Sequence, residues 1–535
     1  MAVEHSHHTP KEPRALHVVP RFAIVAAAVV TAVAAVATLW WPFGWDQGIF
    51  AWIGGVTAEG GLPYRDAWDV KGPLTFVPFA LTELVFGREM WAIRLFDLAL
   101  LALAALAVRR IVGAHAGRGA ATGAGLLYAL AYIGFGYWHT AQPDGWVAII
   151  ALVGWAALLA DTAAVARPRV MAAAGIVVGL GVLAKPLYIL LALVPLGALA
   201  LASEIPLRQR TRLAMAFAAG AAAPVVACAG WLAMRGGLGA ALETYIRFNA
   251  ELAGAGQKPL FGVIRGMYGR MVERPAVLLA LPAAGAGVAV LAREARRTAI
   301  LLGGWLLLAL LIVLIQGRLF GYHWHAVFAP LAVLTGIGLG RLWRPKGGAP
   351  ALEIRVAVAL LTVLLASLVA RAPARDAFGW LRYMAGNTTR AEYLEEYAYP
   401  GLGYSPFDDR AAAAWLAART EPGESVLAWS DPAVNWLARR DTPGRFGFHI
   451  PVNSFDGTPL TARQLAYREE LLASLGSRPP AYILVAERAL RYEPDYQLSI
   501  PGQFPALADL IARGYEEAAR IGTWHVFVRR SSGGR

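Results

Sequence analysis

The sequence predicts a polytopic α-helical membrane protein that ends in a small α/β domain, and three observations support this fold class. The chain of 535 residues is 57% hydrophobic and only 16% charged, whereas soluble domains carry about 25% charged residues. Apolar stretches of the roughly 18 residues that span a bilayer recur as far as Arg371. Beyond that point, short patterns typical of helices and strands alternate.

The membrane part is predicted to contain about eleven helices, because a backbone in lipid must satisfy its own hydrogen bonds. The apolar spans lie near residues 22–42, 91–112, 119–137, 143–163, 170–184, 186–202, 213–234, 275–292, 298–315, 325–342 and 351–371. The segment 73–87 is apolar but only about fifteen residues long, which predicts a short helix in the outer leaflet.

Basic residues set the predicted orientation of these helices. With a cytoplasmic N-terminus, every basic cluster between spans falls on the cytoplasmic side, and the C-terminus lies outside. The clusters are Arg109, Arg110 and Arg118; Arg167 and Arg169; Arg208, Arg210 and Arg212; Arg293, Arg296 and Arg297; and Arg341, Arg344, Lys346 and Arg355. The net charge of +13 therefore reflects topology rather than a nucleic-acid-binding patch.

Three domains follow from these patterns. Residues 1–20 are polar and are interpreted as a cytoplasmic tail, because the following span is long and lacks a convincing cleavage site. A transmembrane domain is predicted over 21–372 and an extracytoplasmic domain over 373–535. The single cysteine, Cys228, lies in an apolar run, which excludes a disulfide framework and a cysteine-based metal site.

The outer face is predicted to hold the chemistry, in the external loops 43–90 and 235–274. Asp46 directly follows the first span and is either a general base for a hydroxyl or a cap of the interfacial helix. Asp66, Asp69 and Lys71, rimmed by Tyr64, form either a solvated ion pair or a cradle in which Lys71 holds a phosphate.

Further polar candidates lie at the ends of later spans. Lys185, between two apolar runs, is costly beside lipid, so it is either functional or extends to the interface. Asp144 either orients a substrate or caps the next helix. A last cluster precedes the tenth span and consists of Arg318, Tyr322, His323 and His325.

The last cluster has two interpretations as well. Arg318 and one histidine could contact a phosphate or sugar, but aromatic residues and histidines are also common at membrane interfaces. Two histidines spaced i, i+2 are weak evidence for a metal site. No cofactor is therefore expected, and a divalent metal, though possible, is not favoured.

The C-terminal domain is predicted to have a mostly parallel sheet, because its strands alternate with helices. The predicted helices are 408–419, 431–439, 459–475 and 504–519, and the extended segments are 425–429, 445–449, 481–486 and 523–528. This part of the sequence contains neither a glycine-rich phosphate loop nor a Gly-x-Ser-x-Gly elbow.

The first external loop resembles that of the GT-C glycosyltransferases, especially glycosyltransferase family 39 with the protein O-mannosyltransferases and aminoarabinose lipid A transferases. The resemblance covers about residues 20–345. The matching motifs are Asp46-Gln47-Gly48-x-Phe50-Ala51, Gly61-x-Pro63-Tyr64-Arg65-Asp66, Lys71-Gly72-Pro73-Leu74, Ala92-Ile93-Arg94-Leu95, Leu183-Ala184-Lys185-Pro186, and Tyr322-His323 with Pro330. The chain departs from the family at Gln47, where an acid is common, at Val70 and at Gly72.

The resemblance implies an inverting glycosyltransferase that moves a sugar from a polyprenyl-phosphate-linked donor to an envelope glycan, lipid or protein acceptor. In that reading Asp46 is the catalytic base, and 235–274 closes over the lipid donor. The leaving phosphate would be stabilised by Lys71, Lys185, Arg318 and His323. The substrate or acceptor would be contacted by Tyr64, Asp66, Asp69, Asp144, Tyr322 and His325.

Two other functions are weighed against this one. A transporter or flippase for lipid-linked glycans would place polar residues near the bilayer midplane, often at broken helices in two related halves, whereas here they crowd one surface. An inactive scaffold conflicts with the joint presence of Asp46, Lys71 and Lys185. The alanine- and arginine-rich composition is typical of high-GC bacteria, so we expect a multi-pass inner-membrane protein with its site facing the periplasm.

Overall fold

The computed structural model describes residues 21–255, 259–344, 350–400, 403–453, 459–486 and 503–530. Each apolar segment that was predicted to span the membrane is helical. These helices are α1 (Arg21–Ala37), α4 (Met90–Ala116), α5 (Arg118–Ile133), α6 (Pro143–Ala160), α7 (Pro168–Ala184), a 3-10 helix Pro186–Ala192 that leads into α8 (Leu193–Leu201), α9 (Leu207–Met234), α13 (Pro275–Glu294), α14 (Arg296–Gln316), α15 (His325–Trp343) and α16 (Leu352–Met384).

Fewer helices than predicted are long and apolar enough to cross a membrane. Among the described residues there are 7 such helices, or 8 if α1 and α2 (Trp45–Ala58), which meet at 62°, count as one bent span. The apolar helices on either side of Lys185 are shorter, because Pro186 lacks an N–H group and disfavours a helical conformation at Lys185. The predicted count of about eleven spans is therefore not confirmed.

The break between α1 and α2 places the first candidate residue. Helix α2 begins at Trp45, so Asp46 lies in its first turn, where the helix dipole favours a carboxylate. The segment predicted as a short helix at 73–87 forms a 3-10 turn, Pro73–Thr75, and α3 (Val77–Phe86). Helix α3 packs on α2 so closely that a Cβ on Gly54 would lie 2.6 Å from the Cβ of Phe79.

The segment predicted as an external loop over 235–274 is largely helical. It contains α10 (Leu238–Ala241), a π-helical segment Leu242–Phe248, α11 (Asn249–Ala255) and α12 (Leu260–Val272). Helix α12 exposes Leu260, Phe261, Ile264, Tyr268 and Val272. Other positions of α12 line the cavity that is described below, namely Gly262, Val263, Gly266 and Arg270.

The boundary predicted between residues 372 and 373 falls inside α16, which continues to Met384. Pro373 lies within this helix without ending it. The short helix α17 (Arg390–Glu395) follows and is held by a capping box, in which the Thr389 hydroxyl accepts from the Glu392 N–H. The C-terminal domain therefore begins after a helix that extends well beyond the last apolar segment.

The C-terminal domain combines helices with a mixed sheet rather than a mostly parallel one. In the described part, the strand order is β1-β2-β4-β3, with β1 parallel to β2 and the other two pairings antiparallel. The elements are α18 (Pro406–Ala417), β1 (Val426–Ala428), α19 (Ala433–Ala438), α20 (Ala462–Ser477), β2 (Tyr482–Ala486), α21 (Pro505–Gly514), β3 (Tyr515–Ile521) and β4 (Trp524–Arg529).

The prediction of a mostly parallel sheet was wrong because one helix was extended too far. The helix predicted to residue 519 ends at Gly514, and the next residues form β3. Gly522 adopts a φ of 53° in the tight connection to β4, a conformation that glycine reaches without a steric penalty. Pairing with β4 therefore overrides the helix propensity of the Glu-Glu-Ala-Ala-Arg stretch.

The C-terminal domain shares a core with the first external loop. Trp68 is fully buried and packs among Phe446, Phe448 and Tyr467. Its backbone N–H donates to the Arg445 carbonyl at 2.9 Å. The domain is therefore packed directly on the loop that carries Lys71.

A buried arginine fixes the start of α2 against neighbouring segments. The Arg94 guanidinium donates to the carbonyls of Pro42 and Tyr137 at 2.7 and 3.1 Å, to Thr140 Oγ1 at 3.0 Å and to Gln47 Oε1 at 2.9 Å. Such a charge is tolerated inside the protein because two of the three guanidinium nitrogens donate to these four acceptors. This network connects α4 with the first turn of α2.

We expect Arg94→Met to destabilise the protein, because it leaves several buried acceptors without a donor. Loss of one partner from a buried charged network costs about 3–5 kcal/mol. Thermal unfolding in detergent measures the effect. Arg109→Met, an exposed change on the same helix, serves as the control, and equal melting temperatures for the two variants would contradict the prediction.

Candidate active site

A cavity of 2330 Å³ opens between the membrane helices and the C-terminal domain. Its wall includes Ile450 and Gln464 of the C-terminal domain, so this domain closes one side of the cavity. Among the predicted site residues, those that line the cavity are Asp46, Lys71, Lys185, Arg318, Tyr322 and His323. The sequence motifs are therefore brought together although they are far apart along the chain.

Asp46 lies at the centre of the polar contacts in this cavity. One carboxylate oxygen, Oδ1, is 3.6 Å from Lys71 Nζ. The other, Oδ2, accepts from Gln142 Nε2 at 3.4 Å, and Tyr322 lines the same cavity. The carboxylate is thus oriented by one amide and one ammonium group while it remains at the cavity wall.

The two lysines face the cavity, and two carboxylates lie behind them. The side chains of Lys71 and Lys185 are 14% and 20% exposed, whereas those of Asp69 and Asp144 are 3% and 0% exposed. Lys185 Nζ lies 2.9 and 2.8 Å from the two oxygens of Asp144. Lys71 Nζ is 4.0 Å from Asp69. An anion bound to the two ammonium groups would therefore be separated from Asp69 and Asp144, whereas Asp46 lies beside it at the cavity wall.

The lysines differ in how firmly they hold their protons. Burial opposes the charged form of Lys71, but the carboxylates of Asp46, Asp69 and Asp144 outweigh it, and the pKa of Lys71 is raised. Burial dominates at Lys185 and lowers its pKa in spite of Asp144. Lys185 is therefore the amine that loses its proton first as the pH rises.

Gly72 joins the segments that carry the two lysines. Its N–H donates to the Ala184 carbonyl at 3.1 Å. A Cβ on Gly72 would overlap the Leu183 carbonyl oxygen. This close backbone approach requires glycine, which explains why the chain departs here from the proline common in the resembling family.

Two predicted substrate contacts in the first external loop lie outside the cavity wall. Tyr64 is fully buried, and its hydroxyl donates to the Lys71 carbonyl at 2.8 Å. Asp66 accepts from the Leu62 N–H at 2.8 Å and pairs with Arg65. These positions differ from the predicted contact with substrate, because both side chains are used to shape the loop.

His325, Asp69 and Asp144 are also absent from the wall of the cavity. The His325 ring is packed against Phe135, and its Nε2 contacts the His139 carbonyl at 2.9 Å. Asp69 accepts from the Lys71 N–H at 2.9 Å. Their places differ from the predicted substrate contacts, and the two carboxylates instead support the lysines.

Several polar neighbours were missed in the sequence. Tyr188 donates to Asp144 at 2.6 Å, and Gln316 accepts from Lys185 at 2.8 Å. Their only sequence signal is a polar group at the end of an apolar run. His139 also lines the cavity, and burial lowers its pKa to about 4, so its ring is neutral at physiological pH.

Gln47, which stands where an acid is common in the resembling family, hydrogen-bonds the segments around the start of α2. Its Nε2 donates to the carbonyls of Tyr137, at 2.8 Å, and Thr140, while its Oε1 accepts from the Gly44 N–H at 2.6 Å and from Arg94. A carboxylate could not donate these bonds. Within the described ranges, no group of three or more His, Cys, Asp or Glu residues is arranged to hold a metal ion.

Comparison with known proteins gives one family and several structures. Residues 70–232, which include Lys71, Asp144 and Lys185, match the family described as dolichyl-phosphate-mannose-protein mannosyltransferase. No curated protein sequence matches the chain significantly.

The similar structures share little sequence identity with the chain. ArnT from Cupriavidus metallidurans, in the apo state, superposes with a TM-score of 0.60 at 16% identity, over 95% of this chain and 98% of ArnT. The archaeal oligosaccharyltransferase AglB from Archaeoglobus fulgidus superposes with a TM-score of 0.51 at 14% identity, over 96% of this chain and 75% of AglB. The arabinofuranosyltransferase AftD from Mycobacteria superposes with a TM-score of 0.51 at 14% identity, over 95% of this chain and 40% of AftD.

These matches define the class of protein. The chain has the fold of a GT-C membrane protein, with a polar cavity beside the first external loop. The family match and the structural matches together confirm the resemblance to the GT-C superfamily.

We expect Gly72→Ala to lower the melting temperature and to displace Lys71, because the added Cβ overlaps the Leu183 carbonyl. Overpacking of this kind costs about 1–3 kcal/mol. Thermal unfolding in detergent measures the loss. Gly230→Ala, where a Cβ meets nothing within 4 Å, is the matched control. A Gly72→Ala protein as stable as this control would show that the approach of the two segments is adjustable.

Proposed function

We propose that this protein is an inverting glycosyltransferase that moves a sugar from a polyprenyl-phosphate-linked donor to a hydroxyl of an envelope glycan, lipid or protein. The proposal is carried by one observation, the Asp46 carboxylate beside two cavity-facing ammonium groups in a large cavity. In support, the matching family is named for dolichyl-phosphate-mannose, and the AglB structure contains a dolichol-phosphate.

The lipid part of the donor would lie against the apolar wall of the cavity. This wall is formed by residues of the π-helical segment, α11, α12, the end of α14 and the connection that follows α14. It includes Ile246, Leu252, Val263, Ile315 and Leu319. An apolar wall of this kind favours a hydrocarbon chain over a nucleotide. Burying a hydrocarbon against it stabilises the complex by roughly 25 cal/mol per Å² of apolar surface removed from water.

The donor phosphate would bind Lys71 and Lys185, with Arg318 and His323 at the same wall. During transfer the bond between the anomeric carbon and the phosphate oxygen breaks, and its electron pair stays on that oxygen. Ammonium groups positioned in advance stabilise this developing charge without reorganisation. Asp144 holds Lys185 from behind, so we assign Asp144 a positioning role rather than acceptor contact.

Asp46 would act on the acceptor. The acceptor oxygen attacks the anomeric carbon from the face opposite the phosphate, and its proton passes to the Asp46 carboxylate. Asp46 Oδ1 lies 3.6 Å from Lys71 Nζ, so the proposed base and one phosphate-binding group would be neighbours at the reacting carbon.

The location of this reaction is also part of the proposal. The active site would face the periplasm of a bacterial inner membrane, in agreement with the distribution of basic residues along the sequence. The C-terminal domain would help to select the acceptor, because it contributes Ile450 and Gln464 to the cavity wall.

We expect Asp46→Asn to lower the transfer rate by about 10²–10⁴-fold, since it removes the base, and Lys71→Ala to weaken donor binding as well. The test measures transfer of labelled sugar from a panel of undecaprenyl- and decaprenyl-phosphate sugars in nanodiscs. Asp161→Asn, an exposed carboxylate away from the cavity, is the control. Wild-type turnover in the Asp46→Asn protein would exclude the proposed mechanism.

We expect donor binding to weaken at alkaline pH because of Lys185. Its lowered pKa means that the ammonium charge is present at low pH and is lost as the pH rises, before an ordinary lysine would lose it. Lys185→Arg keeps its charge throughout this range and should move the loss of affinity to higher pH. Donor dissociation constants between about pH 7 and 10 give the comparison. Identical pH profiles for the two proteins would remove Lys185 from the phosphate site.

A further inference from the structure

Two aromatic side chains form a separate part of the cavity wall. Trp138 and Tyr399 both line the cavity, with ring centroids 6.1 Å apart and planes inclined by 54°. Tyr399 is 54% exposed, although its backbone is held by hydrogen bonds with Tyr404 in both directions. We call Trp138 and Tyr399 the aromatic wall. It is a rigidly held apolar surface that is open to the cavity.

The backbone of Trp138 is connected to Asp46 through Gln142. The Gln142 Nε2 group donates to the Trp138 carbonyl at 3.2 Å and to Asp46 Oδ2 at 3.4 Å. The other oxygen of Asp46, Oδ1, is the one that contacts Lys71. One oxygen of the carboxylate therefore contacts the phosphate-binding lysine, and the other is linked through one amide to the backbone of Trp138, whose ring lines the same cavity.

Charged groups of both signs line the same cavity as the aromatic wall. Helix α16 presents one face to the cavity, at the three- and four-residue spacing of a helical face. The cavity-lining residues of this helix are Ala372, Arg375, Asp376, Phe378, Gly379 and Arg382. Arg375 pairs with Asp376 at 2.8 Å. Glu396 also lines the cavity and touches α16, since a Cβ on Gly379 would lie 2.8 Å from Glu396 Oε2.

This combination fits a sugar ring. One face of a pyranose or furanose ring presents C–H groups that pack on an aromatic ring, and its hydroxyls both donate and accept hydrogen bonds. Arg382 offers donors and Glu396 offers acceptors at the wall of the same cavity. The Tyr399 hydroxyl and the Trp138 indole N–H are further groups that can hydrogen-bond sugar hydroxyls at the edge of the stacked ring.

We infer that the aromatic wall, with Arg382 and Glu396, binds the acceptor and that the acceptor is a glycan. This inference rests on the proposed function and names its acceptor class. The sugar hydroxyl to be glycosylated would point towards Asp46 Oδ2, the oxygen linked through Gln142 to Trp138. Tyr399 is then a specificity-determining residue that contacts the acceptor and not the donor.

The test compares Tyr399→Ala, Tyr399→Phe and wild type, with Phe407→Ala as control. Phe407 is an exposed aromatic residue, 41% accessible, that does not line the cavity. Labelled decaprenyl-phosphate sugars serve as donors. The acceptor probes are octyl glycosides of glucose, galactose, mannose and arabinose, and a peptide containing serine and threonine. Acceptor KM, kcat and donor dissociation constant are measured.

We expect transfer to an octyl glycoside, with the acceptor KM raised at least about 10-fold in Tyr399→Ala, the equivalent of 1.4 kcal/mol. The donor dissociation constant should not change. Tyr399→Phe keeps the ring and should retain a KM within about 2-fold of wild type, as should Phe407→Ala.

The contrary outcomes separate the inference from the function on which it rests. Transfer to the peptide alone, or an unchanged acceptor KM in Tyr399→Ala, overturns the glycan inference. The proposed function still stands in that case if the transfer depends on Asp46. Transfer that persists in Asp46→Asn, or no donor consumption by wild type with any probe, overturns both.

Discussion

The close contact between Gly72 and the end of α7 is the constraint on which the candidate site depends. The hydrogen bond from the Gly72 N–H to the Ala184 carbonyl joins two segments that are far apart in sequence. Each segment carries a lysine next to this bond, Lys71 on one side and Lys185 on the other. Because the bond is between backbone atoms, it fixes the spacing of the two backbone segments from which the lysine side chains extend. In the proposed reaction, the donor phosphate would bind a pair of charges whose attachment points are set by the fold.

Burial then determines how these charges act. Asp69 and Asp144 are almost inaccessible, and burial raises the pKa of Asp69, so its carboxyl group is less readily ionised than an exposed one. The carboxylates hold the lysines by ion pairs and hydrogen bonds that are strong in a low-dielectric interior, yet they are shielded from an anion in the cavity by the lysines themselves. The same four groups exposed to water would attract a phosphate far less, because water screens each of them.

The sequence alone identifies a cavity residue where a charged side chain at that position is energetically costly. It does not identify cavity residues where the outcome depends on the direction in which a side chain points. Asp46 and Lys185 were identified because a charge at the end of an apolar run is unfavourable beside lipid, and both line the cavity. Asp66 and Tyr64 lie in the same loop as Lys71 but point into it, and composition carries no information about that direction. The strand β3 was missed because its pairing with β4 is a tertiary interaction that local helix propensity does not contain.

The elements that build the two sides of the cavity differ in how freely they can change. The lysine side depends on the ends of packed helices and on a backbone contact that tolerates only glycine. The aromatic wall depends on connections, namely the segment between α5 and α6 and the one after α17. Connections on a rigid scaffold accept substitution more readily than packed helices. A GT-C fold at 14–16% identity to its structural neighbours can therefore keep the lysine side of the cavity while the aromatic wall varies, since only the second side must be rebuilt.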